Sequence, residues 1–333
     1  MSAVPVGNGT DRTFFPIRVE RRPALPDAKR QFILATIIPD HNENFCEGEG
    51  AESMATLSRC INHLWRVFAT GLVFVFFGLG ALLISLTIFP ALRLSTRSAD
   101  RARLRIQHAM HHTFRLYIEL MRVLGIMTYE IHGLERIREQ GRLVVANHPT
   151  LIDVVLLVSL MPEVDCIVKR GLWRNPFLRW PVIWASYIPN SEGEELIEGC
   201  AATLARGHSL LVFPEGTRTV PGKPMRMQRG AAHIALAADV EVLPVTVTCD
   251  PPTLFKGNPW YRVPARRFHM TVVVGEPVAA ASFRREGEVA SRAARRLTEW
   301  LLAYYSAVGA PASPEAHESK SAAAQVPIAS ALS

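Results

Sequence analysis

His148 and Asp153 lie five residues apart in the apolar stretch "VVANHPTLIDVVLLVSLM", residues 144–161. A neutral imidazole is the ordinary general base near physiological pH. It needs a partner that fixes its tautomer and stabilises the imidazolium, and a carboxylate does both. The spacing serves that purpose if His148 ends the loop after a strand and Asp153 sits in the first turns of the next helix. Pro149 is well tolerated at a helix start and keeps His148 out of the helix. Taken alone, the pair reads more readily as two polar residues at a strand end.

A second polar group stands further on. In "LLVFPEGTRTVPG", residues 210–222, an apolar strand ends at Phe213 and Pro214, and Glu215, Gly216, Thr217, Arg218 and Thr219 turn out of it. Gly216 lets the backbone approach a ligand closely. Arg218 offers a planar fork of donors suited to phosphate, and the threonines add hydroxyls. A surface Arg–Glu turn is the plain alternative.

Together the two stretches resemble the glycerolipid acyltransferase superfamily, which contains the lysophosphatidic acid acyltransferases. "NHPTLID" is similar to that family's histidine–four-residue–aspartate motif, and "FPEGTRT" to its glycerol-phosphate motif. "VLPVTV", residues 242–247, resembles the later proline-centred motif. "VKRGLWRNPFLRW" stands where the family has a lysine-led segment, so Lys169 corresponds. The resemblance covers roughly residues 62–305. It implies His148 and Asp153 as the catalytic pair, with Glu215, Gly216, Thr217, Arg218 and Lys169 binding substrate. It also implies acyl transfer without a covalent enzyme intermediate: a hydroxyl of a lysophospholipid attacks an acyl-CoA or acyl-carrier-protein thioester. No cofactor and no metal are expected. One departure stands out. Asn190 and Ser191 occupy the place where the family often carries an arginine for the acceptor phosphate, which leaves open an acceptor other than a glycerophosphate, such as an amino-acid-derived or specialised lipid.

Elements must position these residues. The chain has 333 residues, 49% of them hydrophobic and 20% charged, with a net charge of +7. That is more apolar than an average soluble domain. The basic excess suits anionic lipid or phosphorylated substrates; no nucleic-acid partner is expected. Five scattered cysteines, without a C-x-x-C pair, read as reduced thiols. Residues 67–92 carry no charge, enough for a helix of roughly 39 Å against a hydrocarbon core of about 30 Å. Gly78, Gly80 and Pro90 keep a re-entrant hairpin open beside a single span. The arginine-rich flank, Arg93, Arg97, Arg101, Arg103 and Arg105 against Asp100, places the downstream domain on the cytoplasmic side of the inner membrane. Ile106, Met110, Phe114, Tyr117, Met121 and Leu124 then mark an amphipathic helix. His108, His111 and His112 have metal-compatible spacing but no acid close in sequence, and read as a wet interfacial face.

From residue 126 strands and helices alternate, which implies an α/β layered domain with a central, mostly parallel sheet flanked by helices and its active residues at strand ends. Helices are expected over 150–161, 172–184 (interrupted at Pro181), 194–206, 228–238 and 288–306. The expected organisation is a disordered extension at 1–53, a membrane-inserting segment and amphipathic helix at 54–125, a catalytic domain at 126–306 and a disordered tail at 307–333. Other classes fit less well. There is no G-x-S-x-G for a serine hydrolase, and the only glycine-rich dinucleotide-like run, "GLGALL", falls inside the membrane segment. In "GLWRNPFLRWPVIW", Trp173, Phe177, Trp180 and Trp184 suit equally a membrane interface or a packed core.

Overall fold

Short apolar runs closed by polar residues, glycine or proline become strands, and longer amphipathic runs become helices. In the computed structural model the described residues are 48–190 and 193–308. The extension expected at 1–53 lies outside them except for residues 48–53, which are helical. The tail lies outside them except for its first two residues, which end the last helix. The helices are α1 (Gly48–Leu86), α2 (Ile88–Leu94), α3 (Ala99–Val123), α4 (Leu134–Ile137), α5 (Asp153–Val158), α6 (Arg179–Trp184), α7 (Glu194–Ala205), α8 (Gly230–Ala238) and α9 (Ala290–Val308). The strands are β1 (Met127–His132), β2 (Leu143–Ala146), β3 (Asp165–Val168), β4 (Ile188–Pro189), β5 (Leu210–Val212), β6 (Glu241–Asp250), β7 (Phe268–Val274) and β8 (Val278–Ala279).

The sheet order is β1-β7-β6-β2-β5-β3-β4, with β8 beside the start of β6. β6, β2, β5, β3 and β4 run parallel. β7 is antiparallel to β6, and β1 parallels β7. The sheet is therefore mostly parallel, as expected, with a reversed pair at one edge. All four residues of β2 are buried, as a parallel strand covered on both faces requires. Val144 and Ala146 face a core shared with Ile106, Met110 and Tyr117 of α3 and Leu156 and Leu157 of α5. Leu143 and Val145 face the opposite core, built with Leu204 of α7, Leu236 of α8, and Leu297 and Trp300 of α9. Placing β2 in the middle fixes the one strand that ends at His148.

α1 runs unbroken through Gly78 and Gly80, so neither glycine makes a hairpin turn. The chain reverses later, between α2 and α3. One face of α1 packs on the domain: Ala69 and Val73 are fully buried, and the Phe77 ring lies 5.1 Å from that of Tyr117. Close approach to Trp260 explains Gly71, where a Cβ would meet the indole at 3.3 Å. The other face leaves Phe68, Leu72, Val75, Leu79, Leu83 and Leu86 exposed. The stretch Leu57–Leu94 is long and apolar enough to cross a membrane.

The sequence leaves the α3 stripe open to bilayer or domain; it packs on the domain core, with Ile106, Met110, Tyr117 and Met121 buried. Several expectations are corrected. His111 is not on a wet face. It is buried, its ring contacts the Val158 carbonyl at 3.1 Å, and burial pushes its pKa down to about 4. Arg103 is not a free flanking charge, because its guanidinium chelates the buried Asp165 carboxylate at 2.7 and 2.8 Å. The 172–184 segment breaks at Asn175 and Pro176, between a 3-10 turn (Arg170–Arg174) and α6. Pro181 does not interrupt it, because it lies in the first turn of α6, where a missing N–H costs no helical hydrogen bond. The aromatics divide: Trp173 and Trp184 pack against the core, while Phe177 and Trp180 are exposed.

Candidate active site

His148 follows β2 by two residues, and Asp153 is the first residue of α5. Pro149 therefore lies in the connecting loop, not in the helix. The loop is held from both sides. Asn147 behaves like one more rung of the sheet: its amide donates to the Val247 carbonyl at 2.8 Å and accepts the Val247 N–H at 2.7 Å. From the other face, the Tyr305 hydroxyl of α9 donates to the Val145 carbonyl at 2.6 Å.

The imidazole Nδ1 of His148 lies 3.0 Å from Asp153 Oδ2. Asp153 is fully buried, and the His148 side chain is 17% exposed. Nε2 has no partner among the described residues. Thr150 completes the shell around the carboxylate: its N–H donates to Oδ2 at 2.7 Å and its hydroxyl to Oδ1 at 2.6 Å. Burial pushes the Asp153 carboxyl up, and the hydrogen bonds from His148 and Thr150 oppose that. A carboxylate satisfied at both oxygens and facing Nδ1 holds Nδ1 as the donor, which leaves Nε2 as the acceptor. The Phe213 ring flanks the imidazole, centroids 4.6 Å apart.

The second polar group arrives by sheet register. β2 and β5 pair Leu143 with Leu210 and Val145 with Val212, an offset of 67 that carries on to His148 and Glu215. A tight turn follows β5, in which the Phe213 carbonyl accepts the Gly216 N–H at 3.0 Å. Pro214 second and Gly216 fourth are the residues such a turn favours. Gly216 has φ +63°, and a Cβ there would stand 2.9 Å from the Gln228 amide nitrogen. The positive φ of the turn calls for glycine, while the end of the Gln228 side chain could move aside.

Glu215 turns inward. Its Oε1 accepts the main-chain N–H of His148 at 2.9 Å, and the Thr219 hydroxyl donates to its carboxylate at 2.9 Å. The Thr219 N–H in turn donates to the His148 carbonyl at 2.7 Å. Both main-chain polar groups of His148 are thus fixed by the 215–219 loop. Burial raises the Glu215 carboxyl, with His148 and Thr219 as the opposing hydrogen-bond donors. The sequence reading gave Glu215 a substrate-binding role; its carboxylate also holds the main chain of His148. Thr150 was missed as a site residue, and Thr219 was read only as an added hydroxyl. The signal was their small donor side chains, one in each motif.

Arg218 is half-buried, and its Nη1 donates to the Leu254 carbonyl at 2.7 Å and more weakly to that of Phe255. Among the described residues, Nε and Nη2 make no hydrogen bond. Half the fork thus braces the 251–267 connection, and half remains open. Thr217 sits between Gly216 and Arg218, half-buried. Lys169 is exposed at the end of β3, whose pairing with β5 brings it to the same end of the sheet. Asn190 follows β4, its N–H on the Val168 carbonyl at 2.8 Å; Ser191 lies outside the described residues.

Comparison with known proteins agrees with this architecture. The Acyltransferase family model matches residues 128–248, a span holding both clusters. Over that span the chain is similar to the glycerolipid acyltransferases. It is 27% identical over 218 residues to a 1-acyl-sn-glycerol-3-phosphate acyltransferase of Pseudomonas aeruginosa, covering 64% of this chain and 80% of that protein. A chloroplastic 1-acyl-sn-glycerol-3-phosphate acyltransferase of Arabidopsis thaliana is 28% identical over 124 residues, 35% of each chain. The Saccharomyces cerevisiae protein of that name is 25% identical over 201 residues, and the chain spans 65% of its length. The crystal structure of the 1-acyl-sn-glycerophosphate acyltransferase of Thermotoga maritima superposes with a TM-score of 0.53 at 21% identity, covering 77% of this chain and 99% of that one. That likeness concerns the fold.

Proposed function

We propose that this acyltransferase moves a fatty acyl group from an acyl thioester, carried by coenzyme A or acyl carrier protein, to a hydroxyl of a 1-acylglycerol-3-phosphate-like lysophospholipid. The observation that carries the reading is the His148–Asp153 pair, with Nδ1 bound to a buried carboxylate and Nε2 open. His148 Nε2 accepts the proton of the acceptor hydroxyl as that oxygen attacks the thioester carbonyl. The C–S bond then breaks and the imidazolium returns the proton to the departing sulfur. A thiol has a pKa of about 8.5, so this leaving group needs no strong acid. Asp153 stabilises the transient imidazolium, and Thr150 holds Asp153. The open half of the Arg218 fork and the exposed Lys169 supply positive charge for the acceptor phosphate. Nothing in this sequence of steps calls on a metal or cofactor.

Attachment is through the exposed apolar face of α1, with the domain on the cytoplasmic side of the inner membrane. The arginines after α2 support that side, although Arg103 is committed to Asp165. A second reading keeps the chemistry and changes the acceptor to a lipid without a glycerophosphate. Asn190 favours it, standing where the superfamily often has an arginine.

The test is thiol release from an acyl thioester by purified protein, with lysophosphatidic acid and a phosphate-free lysolipid compared as acceptors. Release stimulated by lysophosphatidic acid is expected. Release stimulated only by the phosphate-free acceptor would install the second reading, and release by neither would remove both.

A further inference from the structure

The N-terminal half of α1 and the 251–267 connection between β6 and β7 enclose a basin that the reaction does not use. Arg59, His63 and Arg66 line it from α1, and Arg262, Arg266 and Arg267 from the connection. At its edge Asp250 pairs with Arg266 at 2.7 Å, both side chains largely exposed, and no other acid among the described residues lies on its lining. The two walls are joined: the Arg66 guanidinium donates to the Ala265 carbonyl, and the Trp260 ring packs on Phe74 with centroids 6.2 Å apart. Trp65, Trp260 and Tyr261 are exposed at its margins, and the basin ends where the uncharged stretch of α1 begins.

We infer that this basin is a recognition site for anionic phospholipid headgroups at the bilayer surface. Arginine forks match phosphodiester oxygens, exposed tryptophan and tyrosine settle at the headgroup level, and an apolar helix face leads from them into hydrocarbon. An acidic protein surface would match the arginines but not the adjoining apolar face of Phe68, Leu72 and Val75. The location gives the site a purpose. β6 runs parallel to β2, with Ala146 paired to Val245, so the connection leaves β6 on the His148 end of the sheet. The same connection receives Arg218 at Leu254. A bilayer held at the basin therefore lies at a fixed depth relative to the catalytic pair, whichever lipid is the acceptor.

The experiment compares the full chain with an Arg262→Gln/Arg266→Gln/Arg267→Gln variant, diluted from detergent onto phosphatidylcholine vesicles with and without phosphatidylglycerol. All three side chains are exposed, so the melting temperature should hold. A basic residue at an anionic surface contributes about fivefold in partitioning, so the triple variant should bind phosphatidylglycerol vesicles on the order of 100-fold more weakly. Binding to pure phosphatidylcholine, and thioester turnover in neutral detergent, should stay unchanged. Equal binding of both proteins to phosphatidylglycerol vesicles overturns the site. So does an equal loss on both vesicle types, which assigns the arginines to folding of the anchor. A fall in turnover with acyl-carrier-protein donor while vesicle binding is kept reassigns the basin to an acidic protein. Should the variant not fold, the wild-type protein still decides: added salt must weaken binding to phosphatidylglycerol vesicles selectively, and salt-insensitive binding overturns the site.

Discussion

The main-chain N–H of His148 points at the carboxylate of Glu215, 2.9 Å away, from the equivalent position of the neighbouring parallel strand. His148 and the residue that holds its main chain stand at matching positions past the ends of β2 and β5. Their separation in sequence equals the offset between β2 and β5. The hypothesis is that Glu215 positions the imidazole and does not bind the acceptor. Glu215→Ala orphans the His148 N–H and the Thr219 hydroxyl. Unmet buried donors cost about 1–3 kcal/mol each, and a small shift of a reacting group costs on the order of 100-fold in rate. A lower melting temperature and a lower kcat are expected together. A raised acceptor KM with kcat and melting temperature intact would return Glu215 to the substrate.

Glu215→Gln separates charge from geometry. Burial raises this carboxyl above its ordinary value of 4.5. A carboxyl with a raised folded pKa adds stability below its unfolded pKa and loses it as pH rises through the folded value. At neutral pH the ionised side chain is therefore a liability that glutamine removes. The variant should melt at or above wild type at pH 7, and the two curves should converge as pH falls toward 4.5. A gap that widens on acidification would contradict the direction of the shift.

His111 gives the opposite dependence. Its pKa is lowered from 6.5 to about 4 by burial, so the folded protein keeps it neutral. The stability it contributes is present above 6.5 and is lost as pH falls toward 4. At pH 5 the loss is about 2 kcal/mol. His111→Gln, which can still donate to the Val158 carbonyl, should flatten the fall in melting temperature between pH 7 and pH 5. Parallel curves for the two proteins would place the acid sensitivity elsewhere.

The sequence reveals the parts of this site that depend on local rules. β2 and β5 read as strands because they are apolar runs closed by Asn147 and Pro214. Once they are strands, His148 and Glu215 must stand at ends. Gly216 is legible from the turn, and α5 places Asp153 one turn past the strand. What stayed hidden depends on register and tertiary neighbours. The offset that aligns the two motifs is a property of pairing, so Glu215 looked like a ligand-facing acid and not a clamp. Arg218 read as a phosphate fork or as half of a surface Arg–Glu turn, because its acceptor, the Leu254 carbonyl, lies in a long connection with no periodicity. His111 seemed wet because its partner is a carbonyl of α5, distant in sequence. β8 is two residues long and carries no pattern of its own.

Arg218 is bound on one side and open on the other, and both roles are testable in one variant. Arg218→Lys keeps a charge but cannot hold the Leu254 carbonyl and a phosphate together. The acceptor KM should rise several-fold, with a loss of stability of about 1–2 kcal/mol from the charged hydrogen bond. Unchanged acceptor KM with a lower melting temperature would leave Arg218 as a brace for the 251–267 connection alone.

The last prediction concerns the catalytic pair. If His148 is the general base, His148→Ala removes a contribution of about 10²–10⁴ in rate. Its side chain is partly exposed and its main-chain bonds to Glu215 and Thr219 do not depend on the ring, so the folded yield should barely change. Asp153 is different. It is fully buried and accepts from His148 and twice from Thr150. Asp153→Asn puts an amide where an acceptor is needed on every side. One donor must then face the Thr150 group or Nδ1, and either choice disturbs the tautomer that leaves Nε2 basic. Both turnover and stability should fall. The two variants therefore differ in melting temperature while agreeing in lost rate, and Thr150→Val should reproduce a milder form of the Asp153 defect. Thiol release per folded molecule, measured beside thermal melting, checks all three. Wild-type turnover by folded His148→Ala would falsify the general-base mechanism.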